Sequence, residues 1–319
     1  MAKYTGEVTR EHESIYHHHV PRFYLRAWAT ENRIWWSGYG RILCSELTVV
    51  GGENHFYRLD QLCGKDRFHL AEIAKRLAYG SEANRRFLDA FTLPHIARSN
   101  LLLLDPTFEM KGETVAEHIR KLDLKIANAA EDYHTSIENT FQPYLASMLQ
   151  GEVAFYDDDQ KAAEFLYAFM LQFTRTKGPR EIIAAHPGPF DNIRGVWNLL
   201  HQMVAFTAGA SFFLDRRRFK IVLIDNCTAV PFITGDQPII NLHADLMTRK
   251  PPERMEMYYP LSPTKAMLYL ERSTSLYTDR QSVTMEEAHR FNQLIAENAY
   301  KQLFAASEDS LKIIAPTAA

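Results

Sequence analysis

VWNLLHQMVAFTAGASFFLDRRRFKIVLID, residues 196–225, decides the fold class. Residues 196–214 form the most apolar window of the chain, interrupted by Asn198, His201 and Gln202. The window barely reaches the ~20 residues a bilayer requires and reads as a buried core helix. After Arg216-Arg217-Arg218 the apolar spacing switches from a helical period to one near two. FKIVLID, AVPFITG, EMYYPL and AMLYLE then read as short strands of one antiparallel sheet over 219–271.

Upstream of the switch, 66–214 reads as helical. Val115, Ile119, Leu122, Ile126, Ala129, Tyr133 and Ile137 keep one stripe apolar along a long helix. Pro143 should kink or end that helix, and Gly151 should end its continuation. Asp157-Asp158-Asp159 supplies a cap for a helix over 160–176, which buries Phe165, Leu166, Phe169, Met170 and Phe173. Lys177-Gly178-Pro179 should stop it, and the loop AAHPGPFD should lead into a helix over 192–214.

Both ends of the chain add strands and one more helix. Residues 16–62 alternate aromatic and β-branched residues with Gly38, Gly40 and Gly51-Gly52, as short strands joined by turns do. Within them, Pro21 followed by RFYLRAWA predicts a short helix with proline in its first turn. Thr284 and Glu287 make a capping box for a closing helix over 284–305, with Phe291, Leu294, Ile295 and Leu303 on its apolar stripe. The expected fold is α+β: one integrated, mainly helical domain over 1–319, with a small antiparallel sheet built from N-terminal and C-terminal short strands.

Composition narrows the function classes. With 46% hydrophobic and 24% charged residues over 319 positions, the chain is neither collagenous nor wholly disordered. Lys and Arg number 36 against 39 Asp and Glu, a net charge of −3, which argues against wholesale coating of nucleic acid. Cys44, Cys63 and Cys227 are odd in number and lack metal-type pairing, which suits a reducing compartment. The opening MAKYTGEVTREHESI lacks the apolar stretch of a signal peptide, so a cytoplasmic protein with no membrane association is expected.

GxxxxGK[ST], GxGxxG, HExxH and GxSxG do not occur, and no cofactor is implied. Neighbouring residues of His17-His18-His19 point different ways, so at most two could share one metal ion. More informative are polar residues where the pattern asks for apolar ones: Asn292 on the final stripe, Gln172 and Arg175 on one face of an aromatic helix, Glu138 beside Ile137, and Asp236 in a tight turn.

The same residues carry a resemblance. HHVPRFYLR over 18–26 resembles the H-x-V-P-x-F-Y-L-R signature of a bacterial domain-of-unknown-function family, number 4238. In order along the chain, Ile137-Glu138 with Pro143, QFTRT over 172–176, FITGDQP over 232–238, YPLSP over 259–263 and Asn292 are similar to its later segments. Gly235 and Gln237 replace the usual serine and asparagine of its F-x-T-S-D-N-P turn. The resemblance spans residue 16 to about 306 and implies positions to watch, without implying a reaction.

Two expectations stand side by side. In the first, the chain is a metal-independent phosphodiester or nucleotide hydrolase. His18 is its general acid/base, with Asp236 and Glu138 as further catalytic groups. Arg175 and Arg22 bind the anion there, and Gln172 and Asn292 position the substrate. The resemblance associates such proteins with mobile bacterial loci, hence with a toxin or phage-defence nuclease role. In the second, the same polar residues form a buried clasp. The chain then binds a partner protein from its locus, or nucleic acid through exposed aromatics and the basic run 216–220. A metal-dependent nuclease using Glu138, Asp236 and a histidine lacks any diagnostic ligand spacing. Convergence of His18, Gln172, Arg175, Asp236 and Asn292 on one site is the geometric expectation of the first reading.

Overall fold

A capping box, in which Thr114 accepts from the Glu117 amide and Glu117 reaches back to the Thr114 amide, starts the longest element, a helix over Val115–Leu149. It belongs to a computed structural model that describes residues 12–77, 81–186, 188, 193–244, 252, 254–273 and 277–314. In chain order the elements begin with β1 (Tyr16–His18), α1 (Arg22–Leu25), β2 (Arg33–Gly38), β3 (Arg41–Glu46), β4 (Gly52–Asn54), α2 (Gly64–Arg76) and α3 (Ser81–Leu101). Then come β5 (Glu109–Met110), β6 (Glu113–Thr114), α4 (Val115–Leu149), α5 (Asp159–Thr174), α6 (Lys177–Ala184) and α7 (Ile193–Leu214). The last part contains β7 (Phe219–Asp225), β8 (Thr234–Gly235), β9 (Ile240–Asn241), β10 (Glu256–Ser262) and β11 (Lys265–Glu271). β12 (Arg280–Ser282), α8 (Met285–Asn298), β13 (Leu303–Ala305) and α9 (Glu308–Lys312) complete it.

The α+β reading holds. The larger sheet has the order β12-β7-β11-β10-β9, antiparallel except where β12 pairs parallel to β7. Its strands alternate between two buried faces. Ile221, Leu223, Tyr259, Met267 and Tyr269 pack toward the α5 aromatics Phe165 and Phe169, while Val222, Ile224, Tyr258 and Leu268 pack with Phe291 and Ile295 of α8. The second sheet, β3-β2-β13-β8, joins an N-terminal hairpin to a C-terminal strand. Gly40 turns that hairpin at φ +71°, beside Tyr39 at φ +53°, a left-handed pair suited to a two-residue turn. The N-terminal helix is riveted to the sheets: Tyr24 stacks on Tyr259 and donates to the Pro260 carbonyl at 2.8 Å, and Trp28 Nε1 donates to the Phe232 carbonyl at 2.9 Å. A further core of Phe56, Tyr57, Leu62, Leu70, Leu88 and Trp197 fills the space between α2, α3 and α7.

The structure corrects several boundaries. α4 runs unbroken through Pro143 because the ring lies on the exposed face, where water can take the carbonyl it leaves without a donor. Lys177-Gly178-Pro179 does follow the end of α5, yet it opens α6, with proline in a first turn that needs no amide hydrogen there. AVPFITG contributes only β8, and to the smaller sheet. The closing helix ends at Asn298, so Leu303 lies in β13 and not on a helical stripe. The cause is Asp236, whose carboxylate captures the amides of Tyr300, Lys301 and Gln302 and turns the chain into a strand. The expected loop over 184–191 and the first eleven residues fall wholly or partly outside the described residues.

No helix among the described residues is long and apolar enough to cross a membrane.

Candidate functional site

Arg175 closes α5 as its C-terminal cap, its fork aimed between three other segments. Nε donates to the Tyr57 hydroxyl at 2.7 Å, Nη1 to Glu138 Oε1 at 2.7 Å, and Nη2 to the His18 carbonyl at 2.8 Å. The guanidinium also lies 5.1 Å from the centroid of the Tyr57 ring. Pairing of β1 with β4 makes this possible, because it sets His18 and Tyr57 on either side of the arginine. Only 2% of Arg175 is exposed. Burial opposes its charge, but Tyr57 and Glu138 hold the guanidinium firmly protonated.

Gln172, one turn earlier on α5, is 4% exposed, and its Nε2 has no partner. With Phe23, Ile137, Glu138, Phe141 and Arg175 it lines a cavity of about 10 Å³, space for roughly one water. His18 reaches this cluster through its carbonyl; its Nε2 faces the Leu47 carbonyl at 3.2 Å. Burial, followed by the nearby Arg22 charge, pushes the imidazole down to about 4, so it is neutral at pH 7. Arg22 itself is exposed on α1.

Asp236 and Asn292 belong to other networks. The Asp236 carboxylate accepts from the amides of Tyr300, Lys301 and Gln302 at 2.7, 2.8 and 3.0 Å. Burial pushes its pKa up while those donors oppose the shift. Asn292 accepts from the Ile233 amide at 3.0 Å and donates to the Pro231 carbonyl at 2.8 Å. The structure therefore joins Glu138, Gln172 and Arg175 with the His18 backbone, and sets Asn292 as a staple from the middle of α8 to residues 231–233 and Asp236 as one to the segment that follows α8. Among the described residues no hydrogen bond links Asp236 to His18 or Arg175, and no group of three His, Cys, Asp or Glu is arranged to hold a metal ion.

Sequence reasoning missed two features. One is a nest of buried imidazoles beside Arg175. His134 and His201 stack with centroids 5.2 Å apart and their Nε2 atoms 3.2 Å apart, while His17 Nδ1 accepts from the Tyr57 amide at 2.7 Å. Burial drives His201 down to about 3 and His134 well below the usual histidine range.

The other is a cavity of about 310 Å³ between α3, α4, α5 and α7. Phe87, Tyr133, Tyr167, Phe206 and Phe213 wall it and are only half-buried, and exposed Gln160 with Glu164 marks its opening. The Tyr133 and Tyr167 hydroxyls bond each other at 2.8 Å. Asn84 donates to Thr207 Oγ1 at 2.9 Å, and Glu164 accepts from Tyr144 and Gln160. Gln202, 1% exposed, has a partner for neither its Oε1 nor its Nε2. Gly209 completes the wall where α5 and α7 touch; a Cβ there would lie 3.0 Å from Tyr167 Cα and 3.1 Å from its backbone nitrogen. The signal was present in the sequence, since His201 and Gln202 interrupt the most apolar helix of the chain.

Three of the four cations in the basic run offered to nucleic acid, all but Arg217, are engaged locally. Arg216 pairs with Asp159 and covers the Phe213 ring, Arg218 pairs with Glu271 at 3.0 Å, and Lys220 bonds the Tyr277 carbonyl at 2.6 Å.

Comparison with curated proteins and with solved structures finds no match. A family model described as "Protein of unknown function (DUF4238)" matches residues 16–309, from β1 into α9, and so contains the Arg175 cluster, both staples and the aromatic cavity. Over nearly its whole length, the chain belongs to the DUF4238 family.

Proposed function

We propose that this chain is a non-catalytic binding protein whose buried polar residues form its framework and whose ligand is a small, largely apolar molecule held between α3, α4, α5 and α7. The observation that carries this reading is the 310 Å³ cavity with half-exposed aromatic walls. Pockets of this size and lining are where small ligands bury most of their surface. The hydrolase reading asks more of the residues than their surroundings support. Its anion binder, Arg175, is 2% exposed and already paired with Glu138. Its general acid/base, His18, titrates near 4, far from the neutral range in which such a group works best. Nor do the cations at 216–220 favour a nucleic-acid partner, since most of them are spent on neighbouring acids and carbonyls.

The test uses the neutral fluorophore N-phenyl-1-naphthylamine with the full chain. Saturable one-site binding that is lost in Ala210→Trp, with the melting temperature kept, supports the reading, because Ala210 lines the cavity. Absent binding, or binding indifferent to Ala210→Trp, overturns it. Turnover of bis(p-nitrophenyl) phosphate that disappears in a folded His18→Ala variant would return the hydrolase to first place.

A further inference from the structure

Gln202 offers a donor and an acceptor together, and both lack a protein partner at a position only 1% exposed. A buried amide in that state has lost its water without replacement, which is why such groups are nearly always satisfied. The other polar side chains around the cavity each make at least one hydrogen bond. Thr140 Oγ1 donates to the Ser136 carbonyl, Thr207 Oγ1 donates to the Met203 carbonyl, and the Tyr133 and Tyr167 hydroxyls share one hydrogen bond. Both oxygens of Glu164 are occupied as well, by the Tyr144 hydroxyl and the Gln160 amide. One unsaturated amide therefore stands in a wall of aromatic rings.

Resting on the binding reading above, we infer that the ligand is an uncharged molecule with an aromatic body of about two fused rings and a carboxamide-like head, whose carbonyl and N–H pair with the side-chain amide of Gln202. The walls favour a ring system: Tyr167 and Phe206 meet edge to face at 5.7 Å, as do Phe87 and Tyr133 at 5.5 Å, and a planar guest meets the same geometry. An anionic ligand is disfavoured. No Lys, Arg or His is among the described residues lining the cavity, so an anion would be desolvated without a counter-charge. Glu164, the one acid among the described lining residues, marks the opening, where it accepts from Tyr144 and Gln160. A head bearing donor and acceptor side by side satisfies both atoms of Gln202 at once, as no hydrocarbon, ether or simple alcohol does.

Three probes of one shape separate the contributions: 2-naphthamide, naphthalene and 2-naphthoate, each titrated into the full chain by displacement of N-phenyl-1-naphthylamine. The expected result is that 2-naphthamide binds at least about tenfold more tightly than either of the others. In Gln202→Leu the gap between 2-naphthamide and naphthalene closes while naphthalene binding persists, and Gln202→Met gives the same outcome should the leucine variant fold poorly. Naphthalene and 2-naphthamide binding equally to the wild type would overturn the inference and leave the cavity reading intact. A gap that survives in Gln202→Leu or Gln202→Met would do the same. Displacement by none of the three overturns the inference alone, whereas failure of N-phenyl-1-naphthylamine itself to bind overturns both.

Discussion

Across the α4–α5 interface, Arg175 Nη1 meets Glu138 Oε1 at 2.7 Å, with 3% of the arginine side chain exposed and 24% of the glutamate's. The pair makes α5, α4, β1 and the turn at Tyr57 answer to one guanidinium. Glu138→Ala leaves that charge buried without its counter-ion and should cost about 3–5 kcal/mol. Arg175→Lys keeps the charge but cannot reach Tyr57, Glu138 and the His18 carbonyl together, and should cost roughly 1–3 kcal/mol. Urea midpoints at constant m-value measure both; a midpoint unchanged in Glu138→Ala would remove the clasp from the account.

The two staples should behave alike for different reasons. Asn292→Leu orphans the Ile233 amide and the Pro231 carbonyl, at roughly 1–3 kcal/mol. Asp236→Ala strips an acceptor from three successive amides and should cost about 3 kcal/mol or more, with Asp236→Asn intermediate. Hydrogen exchange at Tyr300, Lys301 and Gln302 should quicken in the Asp236 variants before global unfolding does.

Buried neutral histidines set the acid limb of stability. Burial lowers His18 and His95 to about 4 and His19 and His201 to about 3, and holds His134 well below its ordinary value. Between pH ~6.5 and those values the unfolded chain takes up protons that the folded chain refuses, so stability rises with pH there. It is fully present above pH ~6.5 and drains away as the pH falls toward 4. His201→Gln removes one such group and should reduce proton uptake on unfolding at pH 5 by about one. Calorimetry in buffers of different ionisation enthalpy reads that number directly.

Gly209→Ala should destabilise the chain by about 1–3 kcal/mol, because the added methyl meets the backbone of Tyr167 and not the yielding tip of a side chain. The same displacement of α5 from α7 reshapes the aromatic cavity. Binding of N-phenyl-1-naphthylamine should weaken at temperatures where the variant is still fully folded.

Features set by near neighbours were legible from the sequence. The Thr284–Glu287 box, the Asp158 cap and the change of period after Arg218 all rest on residues within one or two turns of each other, and each appears in the structure. Pro143 misled because its effect depends on which side of α4 faces water, a tertiary matter. Leu303 misled because the amides that end α8 are captured by an aspartate 64 to 66 residues away. The site divides in the same way. Polar residues on apolar faces picked out Glu138, Gln172, Arg175, Asp236 and Asn292 as buried or half-buried and unusual. Nothing local says that Arg175 pairs with Glu138 while Asp236 serves backbone, or that His134 would find His201 across 67 positions.

β13 sits between β2 and β8, so the N-terminal hairpin acquires its third strand only from residues 303–305. On the ribosome, β2 and β3 emerge early and then wait, one edge of β2 unsatisfied, while some 250 further residues are translated. A growing chain with an open strand edge is the species most exposed to pairing with a neighbour. Messages that stop short of residue 303 should therefore yield aggregates rather than shortened folded protein, which makes residues 303–305 the step that commits residues 33–46 to their final form.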